Sequence, residues 1–223
     1  MTSDPHRNSP VLHRGVSLAD AAGVVILLHG RGGSAEDILS LAGEFDVPQL
    51  AYLAPEASGN SWYPFSFLSP IAKNEPWLTS ALHKIQNTIQ SMETAGITLD
   101  RVVLCGFSQG ACLATEYVAR RARRYGGLIA FTGALVGPPD ADLSHSGDLA
   151  GTPVFFGSGD PDPHVPWNRV QQSAEILAEM GASVTLKRYP GRPHTITHEE
   201  IEFAKGLIRE VLRGKAITKH NVV

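Results

Sequence analysis

The segment Gly106-Phe107-Ser108-Gln109-Gly110 places one serine between two glycines in the spacing G-x-S-x-G. An apolar, strand-like run ends just before it, and a helix-like stretch begins just after it. At a strand-to-helix turn this spacing is the nucleophile-elbow signature, in which a tight turn admits only small residues and leaves the serine hydroxyl exposed. The motif alone is short and common, but its place between a strand and a helix predicts that Ser108 is a nucleophile.

A serine hydroxyl is a weak nucleophile at neutral pH, so Ser108 needs a positioned base and a group that orients the base. In a doubly wound sheet these partners follow later strands, in the order Ser, acid, His. His194, on a loop before the last helix, is predicted as the base, with His198 as its rival one helical turn further on. An earlier loop offers two carboxylates, Asp160 and Asp162, and the residues alone leave the choice of acid open.

The spacing of His194 and His198 also raises the question of a metal pair. The chain lacks the Glu that follows the first histidine in H-E-x-x-H, and no third ligand is apparent nearby. We therefore predict that this site holds no metal and that the protein needs no cofactor.

Acyl transfer through a serine also requires two backbone N–H groups that stabilise the tetrahedral oxyanion. One is expected at Gln109, which follows the nucleophile, and the other on the glycine-rich segment His29–Ser34 after an early apolar run. A nucleotide-phosphate loop is the competing interpretation of that segment. It lacks the last glycine of G-x-G-x-x-G and the Lys-Ser/Thr of a P-loop, so beside a G-x-S-x-G an oxyanion loop is favoured.

Apolar runs of strand length alternate along the chain with amphipathic stretches, which predicts an α/β fold with a mostly parallel, doubly wound sheet flanked by helices. One helix is predicted where apolar residues recur from Leu78 to Met92. Another is predicted to begin near Thr197, because Glu200 three residues later completes a capping box. The strand-like runs are Val24–Leu28, Leu50–Ala54, Arg101–Cys105, Leu128–Phe131, Pro153–Phe156 and Val184–Arg188.

The bulk composition fits one globular domain over residues 1–223, with a core at about 11–213 and flexible ends at Met1–Ser9 and Lys215–Val223. A hydrophobic content of 43% and a net charge of −3 argue against disorder and against a nucleic-acid partner. No apolar run is long enough for a membrane span, and the polar N-terminus shows no signal peptide. Two cysteines, Cys105 and Cys112, are interpreted as buried, reduced thiols of a cytoplasmic protein.

Taken together, these segments resemble the phospholipase/carboxylesterase family of α/β-hydrolases, which also contains acyl-protein thioesterases. The resemblance implies an α/β-hydrolase fold without a separate cap domain. It assigns the triad acid to Asp162 and leaves Asp160 to shape the loop. It also implies that Arg31 and Gln109 provide the oxyanion-hole amides through their backbones, so that their side chains matter less. The matching segments are Leu28–Gly32, Trp62–Pro64, Gly106–Gly110, Gly159–Pro166 and Pro193–Thr195.

Two positions depart from the family pattern: Gly33 stands where relatives often carry Asp, and Ala111 where a second glycine often follows the elbow. The first bears on the conformation of the oxyanion loop, and neither touches the triad.

The segment between the second strand and the long helix, residues 55–77, is rich in aromatic side chains. One interpretation is a covering loop that lines an apolar substrate pocket; the other is a satellite hydrophobic cluster beneath a long loop. Under the first, Trp62, Tyr63 and Phe65 contact substrate, together with His164 near the triad acid.

These expectations describe a serine carboxylesterase that acts on small to medium acyl esters through an acyl-enzyme intermediate. The alternatives are an acyl-thioesterase or lysophospholipase with the same triad, and, from another class, a non-catalytic hydrolase-fold binding protein. The expected partner is a small-molecule ester. Members of the family often dimerise, which makes a homodimer conceivable, but no interface signature is found in the sequence.

Overall fold

The computed structural model describes residues 4–214. Its seven strands form one sheet in the order β1-β3-β2-β4-β5-β6-β7, parallel throughout except for β1, which runs antiparallel to β3. The strands are β1 (Val11–Gly15), β2 (Gly23–Leu28), β3 (Leu50–Pro55), β4 (Val102–Phe107), β5 (Gly127–Phe131), β6 (Pro153–Asp160) and β7 (Ser183–Pro190). The helices are α1 (Ala35–Leu39), α2 (Leu41–Phe45), α3 (Ile71–Asn74), α4 (Trp77–Thr94), α5 (Gln109–Arg120), α6 (Trp167–Glu179) and α7 (His198–Leu212).

All six strands expected from apolar runs are confirmed, within one to four residues at their ends. Strands β2, β3 and β5 are buried at every position, as expected for strands whose two faces are both covered by helices. The strand that sequence reasoning missed is β1, whose residues are mostly exposed and include His13 and Arg14. An edge strand of this kind has no continuous apolar run, because it pairs on one side only, here with β3.

Two hydrophobic layers lie on opposite faces of the sheet. The first contains the apolar face of α4, where the predicted periodicity from Leu78 to Met92 is confirmed as one continuous helix. The second contains α7, which begins after Thr197 with the expected capping box: Thr197 accepts from the backbone of Glu200, and the Glu200 carboxylate accepts from the backbone of Thr197. Because β2, β4, β5, β6 and β7 are parallel, the loops that follow them all open at one edge of the sheet.

The two thiols are free and buried, as predicted. Burial raises the pKa of both thiols, that of Cys112 to about 12. Both cysteines are therefore protonated, neutral thiols at neutral pH. Within residues 4–214, no helix has the length and apolar character that a membrane crossing requires.

The N-terminal end that is expected to be flexible contains a residue packed into the core. His6 is fully buried; its Nδ1 accepts from the N–H of Ser58 at 3.0 Å, and its Nε2 lies 3.0 Å from the carbonyl of Trp62. Its own backbone N–H donates to the hydroxyl of Ser80 on α4. The side chain therefore joins the N-terminal segment to the core, through partners more than fifty residues away that local sequence does not reveal. The expected flexibility of Met1–Ser3 and Lys215–Val223 concerns residues outside the described part of the chain.

The buried imidazole of His6 makes stability depend on pH. Desolvation by burial lowers the pKa of His6 below its ordinary value of 6.5, although the Trp62 carbonyl opposes the shift. Below pH 6.5 the unfolded chain then binds more protons at this position than the folded chain, so the free energy of unfolding falls as pH falls. We expect the urea midpoint to decrease between about pH 7.5 and about pH 5.5, and the His6→Asn variant to show a smaller decrease.

The matched control is His83→Asn, which changes an exposed histidine on α4. Equal pH dependence in wild type and His6→Asn would contradict this assignment.

Candidate active site

Ser108 sits at the tip of a strained turn between β4 and α5. Its backbone has φ 54° and ψ −118°, a conformation that non-glycine residues rarely adopt. The two glycines of the motif are required by space. A Cβ on Gly106 would lie 2.5 Å from the backbone of Gly110, and a Cβ on Gly110 would lie 2.1 Å from the carbonyl oxygen of Leu28. The elbow geometry expected from the sequence is thus present in the structure.

The structure brings Ser108, His194 and Asp162 together from three loops. His194 Nε2 lies 2.9 Å from the Ser108 hydroxyl, and its Nδ1 lies 2.8 Å from Asp162 Oδ2. Because the carboxylate can only accept, it favours a proton on Nδ1, which leaves the lone pair of Nε2 facing the serine O–H. This arrangement has the geometry required for a proton to pass from the hydroxyl to the imidazole.

The carboxylate of Asp162 is itself held in place. Its side chain is fully buried, and its Oδ1 accepts from the backbone N–H groups of His164 and Val165 at 2.9 and 2.8 Å. Burial alone would raise the pKa of Asp162. The hydrogen bonds from His194, Val165 and His164 outweigh it, so the pKa lies below its usual value of 3.8 and the group is ionised at neutral pH.

The other two candidates from the sequence lie elsewhere. Asp160 forms an ion pair with Arg188 of the neighbouring strand β7, whereas the carboxylate bonded to His194 is that of Asp162. His198 is the first residue of α7 and is exposed. Among residues 4–214, no group of three or more His, Cys, Asp or Glu side chains is arranged to hold a metal ion.

The segment His29–Ser34 lies beside the elbow, and Gly30 and Arg31 line the same cleft as Ser108. The backbone N–H of Arg31 has no hydrogen-bond acceptor within residues 4–214. The backbone N–H of Gln109 belongs to the first turn of α5, where amides have no acceptor within the helix. His29 anchors the segment: its Nε2 accepts from the N–H of Ala57, so its Nδ1 carries the proton and donates to the carbonyl of Gly30. Two backbone donors therefore stand near the serine without other partners.

The side chains of Arg31 and Gln109, which the resemblance implies matter less than their backbones, form hydrogen bonds of their own. Gln109 Oε1 accepts from the N–H of Trp62 at 2.9 Å, and its Nε2 donates to the carbonyl of Tyr63 at 2.8 Å. The guanidinium of Arg31 donates to the carbonyl oxygens of Pro64 and Phe65 and to a hydroxyl nearby, at 2.7 to 2.9 Å. We call these hydrogen bonds the clamp, because they fix the backbone of residues 61–65 against the elbow and the loop after β2.

The clamped segment forms one wall of a cleft of about 650 Å³ that opens at Ser108. Three of the four predicted substrate-contacting residues line this cleft: Tyr63, which is buried; Phe65, which is 52% exposed; and His164, whose ring lies 4.8 Å from that of His194. The full lining is Gly30, Arg31, Tyr63, Pro64, Phe65, Ser66, Phe67, Phe107, Ser108, Gln109, Cys112, His164, Val165 and His194.

The prediction that Trp62 contacts substrate is wrong. Its indole is fully buried behind the cleft, with the N–H donating to the carbonyl of His29 at 2.9 Å and the ring packed against His6 and His29. The sequence places Trp62 in an aromatic segment but does not reveal which side chains of that segment face inward. Conversely, Phe107 lines the cleft and its ring lies 5.0 Å from that of His194, a location that its position directly before Ser108 could have suggested.

The departure at Ala111 is matched by a second small residue. Ala111 is fully buried, and a Cβ on Gly133, in the loop after β5, would lie 2.3 Å from the methyl group of Ala111. Gly133 therefore provides the space that the extra methyl group takes. At the other departure, the atom nearest to a Cβ on Gly33, outside the adjacent residues, would be the carbonyl oxygen of Gly30, at 3.4 Å, so contact at the Cβ does not require glycine there.

Comparisons with known proteins agree on one family. The model of the family described as phospholipase/carboxylesterase matches residues 17–212. A crystal structure of a phospholipase/carboxylesterase from Dyadobacter fermentans is 46% identical, with a TM-score of 0.87 over 91% of this chain and 97% of that one. A probable SOBER1-like carboxylesterase from Arabidopsis thaliana is 26% identical over 86% of this chain and 80% of the relative. Acyl-protein thioesterase 1 from Gibberella zeae is 34% identical over 58% of this chain and 56% of the relative.

The clamp can be tested by hydrogen exchange. Gln109→Ala removes the acceptor of the Trp62 N–H and the donor to the Tyr63 carbonyl. We expect exchange of the Trp62 amide to accelerate by about 5- to 30-fold, because loss of a hydrogen bond to a buried group costs about 1–2 kcal/mol. Mass spectrometry of a peptide spanning residues 61–65 reports the rate.

The control variant is Gln171→Ala, which changes an exposed residue whose side chain is hydrogen-bonded, within the described chain, only to Glu175. Unchanged exchange in Gln109→Ala would show that the segment is held by other contacts.

Proposed function

The chain belongs to the phospholipase/carboxylesterase family and is a hydrolase of ester bonds; we propose that it acts as a serine carboxylesterase on small to medium acyl esters. The observation that carries the proposal is the relay of hydrogen bonds from Ser108 through His194 to Asp162, at 2.9 and 2.8 Å, at the wall of a mostly apolar cleft. In the proposed mechanism these three residues are the nucleophile, the base and the orienting acid.

In the acylation step, His194 Nε2 takes the proton of the Ser108 hydroxyl while Oγ attacks the acyl carbonyl carbon. The ionised Asp162, whose carboxylate accepts from the N–H groups of His164 and Val165, stabilises the imidazolium that forms. His194 then gives its proton to the departing alcohol, and the acyl group remains on Ser108 as an ester. Water enters next and attacks the acyl carbon while His194 takes one of its protons. The bond between the acyl carbon and Ser108 Oγ then breaks, Oγ takes the proton from His194, and the carboxylic acid leaves.

The oxyanion of each tetrahedral intermediate is assigned to the backbone N–H groups of Arg31 and Gln109. Two observations support this assignment: neither amide has another acceptor within the described chain, and both residues line the cleft next to Ser108. The α5 helix also begins at Gln109, so its positive dipole end faces the developing charge. Donors fixed in advance in this way are usually the largest contribution to catalysis in acyl transfer.

The cleft supports the proposed substrate range. Its volume of about 650 Å³ and its lining by Tyr63, Phe65, Phe67 and Phe107 suit an apolar acyl group of moderate size. An acyl-thioesterase is the second candidate, because relatives of this chain are named acyl-protein thioesterase 1 and the same triad would cleave a thioester. We propose a cytoplasmic location, in keeping with the two free thiols.

Hydrolysis of p-nitrophenyl esters from C2 to C16 tests the activity and the substrate range together. We expect the wild type to prefer short to medium chains, and Ser108→Ala to lose at least about 10⁴-fold in kcat and all labelling by a fluorophosphonate probe. Ser66→Ala, which alters another serine of the cleft, should keep both. A long-chain optimum would favour the thioester or lysophospholipid alternatives. A folded wild type that neither hydrolyses nor labels would favour a binding protein.

The two aspartates of the acid loop are distinguished by amide substitution. Asp162→Asn would favour the wrong tautomer of His194, and we expect kcat to fall by at least about 10³-fold. Asp160→Asn breaks only the partly exposed ion pair with Arg188, and we expect a change of less than about 3-fold. Steady-state kinetics on one ester measures both. A larger loss in Asp160→Asn than in Asp162→Asn would reverse the assignment.

A further inference from the structure

Two residues before His194, a buried arginine points into the protein. Arg192 is 7% exposed, its Nη2 donates to Thr132 Oγ1 at 2.8 Å, and its Nη1 lies 3.3 Å from Glu200 Oε2. The chemistry of the proposed triad does not use any of these three groups, and Arg192 does not line the cleft. We call Arg192, Glu200 and Thr132 the buried charge cluster.

Glu200 connects the cluster to the helix that follows the base loop. Its side chain is fully buried, and Oε2 accepts from both the N–H and the hydroxyl of Thr197 at 2.9 Å. The Glu200 carboxylate therefore caps the N-terminus of α7 and also compensates the positive charge of the Arg192 guanidinium. As a result, the loop from residue 191 to residue 197, which carries His194, is held at Arg192 and again at Thr197.

The same cluster packs against the strand that leads to the acid loop. A Cβ on Gly157 of β6 would lie 2.4 Å from Glu200 Oε1, and a Cβ on Gly159 would lie 2.6 Å from the carbonyl oxygen of Arg192. Glycine at these two positions allows the charged groups to lie directly on the backbone of β6. Asp162 follows this strand by two residues.

Thr132 connects the cluster to the nucleophile. It has a left-handed backbone, φ 54°, and its N–H donates to the carbonyl of Gly157 at 2.7 Å. The carbonyl oxygen of the preceding residue, Phe131, accepts a hydrogen bond from the backbone N–H of Ser108 at 3.0 Å. Arg192 is therefore linked to Ser108 by three successive bonds: its hydrogen bond to Thr132, the peptide bond between Thr132 and Phe131, and the backbone hydrogen bond from Ser108 to Phe131.

We propose that Arg192 is a positioning residue of the active site. With Glu200 and Thr132, it fixes the base loop relative to the loops that carry Ser108 and Asp162, and so sets the distance between the serine hydroxyl and His194 Nε2. The inference rests on the proposed triad. Replacing a buried ion pair by apolar side chains of similar size is often neutral or stabilising, so such a pair is weak evidence for a stabilising role. In some proteins buried polar groups specify geometry instead, and the contacts of Arg192 with Thr132, Glu200 and strand β6 favour that role here.

The test separates positioning from stability by removing one charge and then both. Arg192→Met leaves Glu200 buried and uncompensated, and should lower both the urea midpoint and kcat. The double variant Arg192→Met with Glu200→Gln removes both charges, and should recover most of the urea midpoint. We expect kcat to stay about 10- to 100-fold below wild type in the double variant, with KM within about 2-fold, because small displacements of catalytic groups reduce rate more than binding.

Two milder variants keep the test decisive if Arg192→Met does not fold. Thr132→Val removes the hydroxyl that accepts from Arg192, whereas Thr132→Ser retains it; only the first should lower kcat and the rate of fluorophosphonate labelling. Arg188→Met, which breaks the exposed ion pair with Asp160 at the same edge of the sheet, should match wild type in both measurements.

The outcomes distinguish the inference from the proposed function. If kcat returns together with the urea midpoint in the double variant, or if Thr132→Val and Thr132→Ser label equally fast, the cluster is structural only and the inference is overturned. If the wild type itself neither labels nor hydrolyses esters, the proposed function fails instead.

Discussion

The close approach of Gly110 to the carbonyl of Leu28 is the constraint on which the rest of the site depends. Strands β2 and β4 are paired so that Leu28 lies opposite Gly106, and α5 therefore begins directly above the end of β2. Any side chain at residue 110 would push the helix away from that strand. Because the contact is made through backbone atoms, the turn at Ser108 and the loop after β2 are held next to each other. The proposed nucleophile and the proposed oxyanion donors are thus brought close together by a packing contact between two main chains.

The features that could be predicted from the sequence are those with local signals. Apolar runs identify the buried strands, the glycine spacing identifies the elbow, and the capping box identifies the start of α7. The features that were missed depend on distant partners. Strand β1 is ordered by β3, and His6 is buried because Ser58, Trp62 and Ser80 surround it. The misassignment of Trp62 has the same origin, since aromatic content predicts apolar contact without indicating which side of a loop faces the core.

The site combines apolar contact surfaces with polar positioning. Aromatic rings line the cleft, yet the clamp holds the backbone behind them through hydrogen bonds from the guanidinium of Arg31 and the side-chain amide of Gln109. On the opposite side, the buried charge cluster lies beneath the loop of His194. Hydrogen bonds are directional, whereas apolar contacts are not, so polar groups are suited to fixing distances and apolar groups to accepting substrates of varied shape. The two kinds of interaction meet at the cleft wall, where Arg31 and Gln109 lie beside the aromatic rings, whereas the buried charge cluster does not line the cleft.

The contact between Ala111 and Gly133 has an evolutionary consequence. A Cβ on Gly133 would lie 2.3 Å from the methyl group of Ala111, and also 2.7 Å from the carbonyl carbon of Ala111 and 2.9 Å from the backbone nitrogen of Cys112. The backbone of α5 therefore excludes a side chain at position 133 even when position 111 is glycine. The dependence runs in one direction: alanine at position 111 requires glycine at position 133, whereas the helix backbone requires glycine at position 133 in either case. Position 111 can accordingly change between glycine and alanine over evolution while position 133 stays fixed, because a larger residue at position 133 would overpack the core.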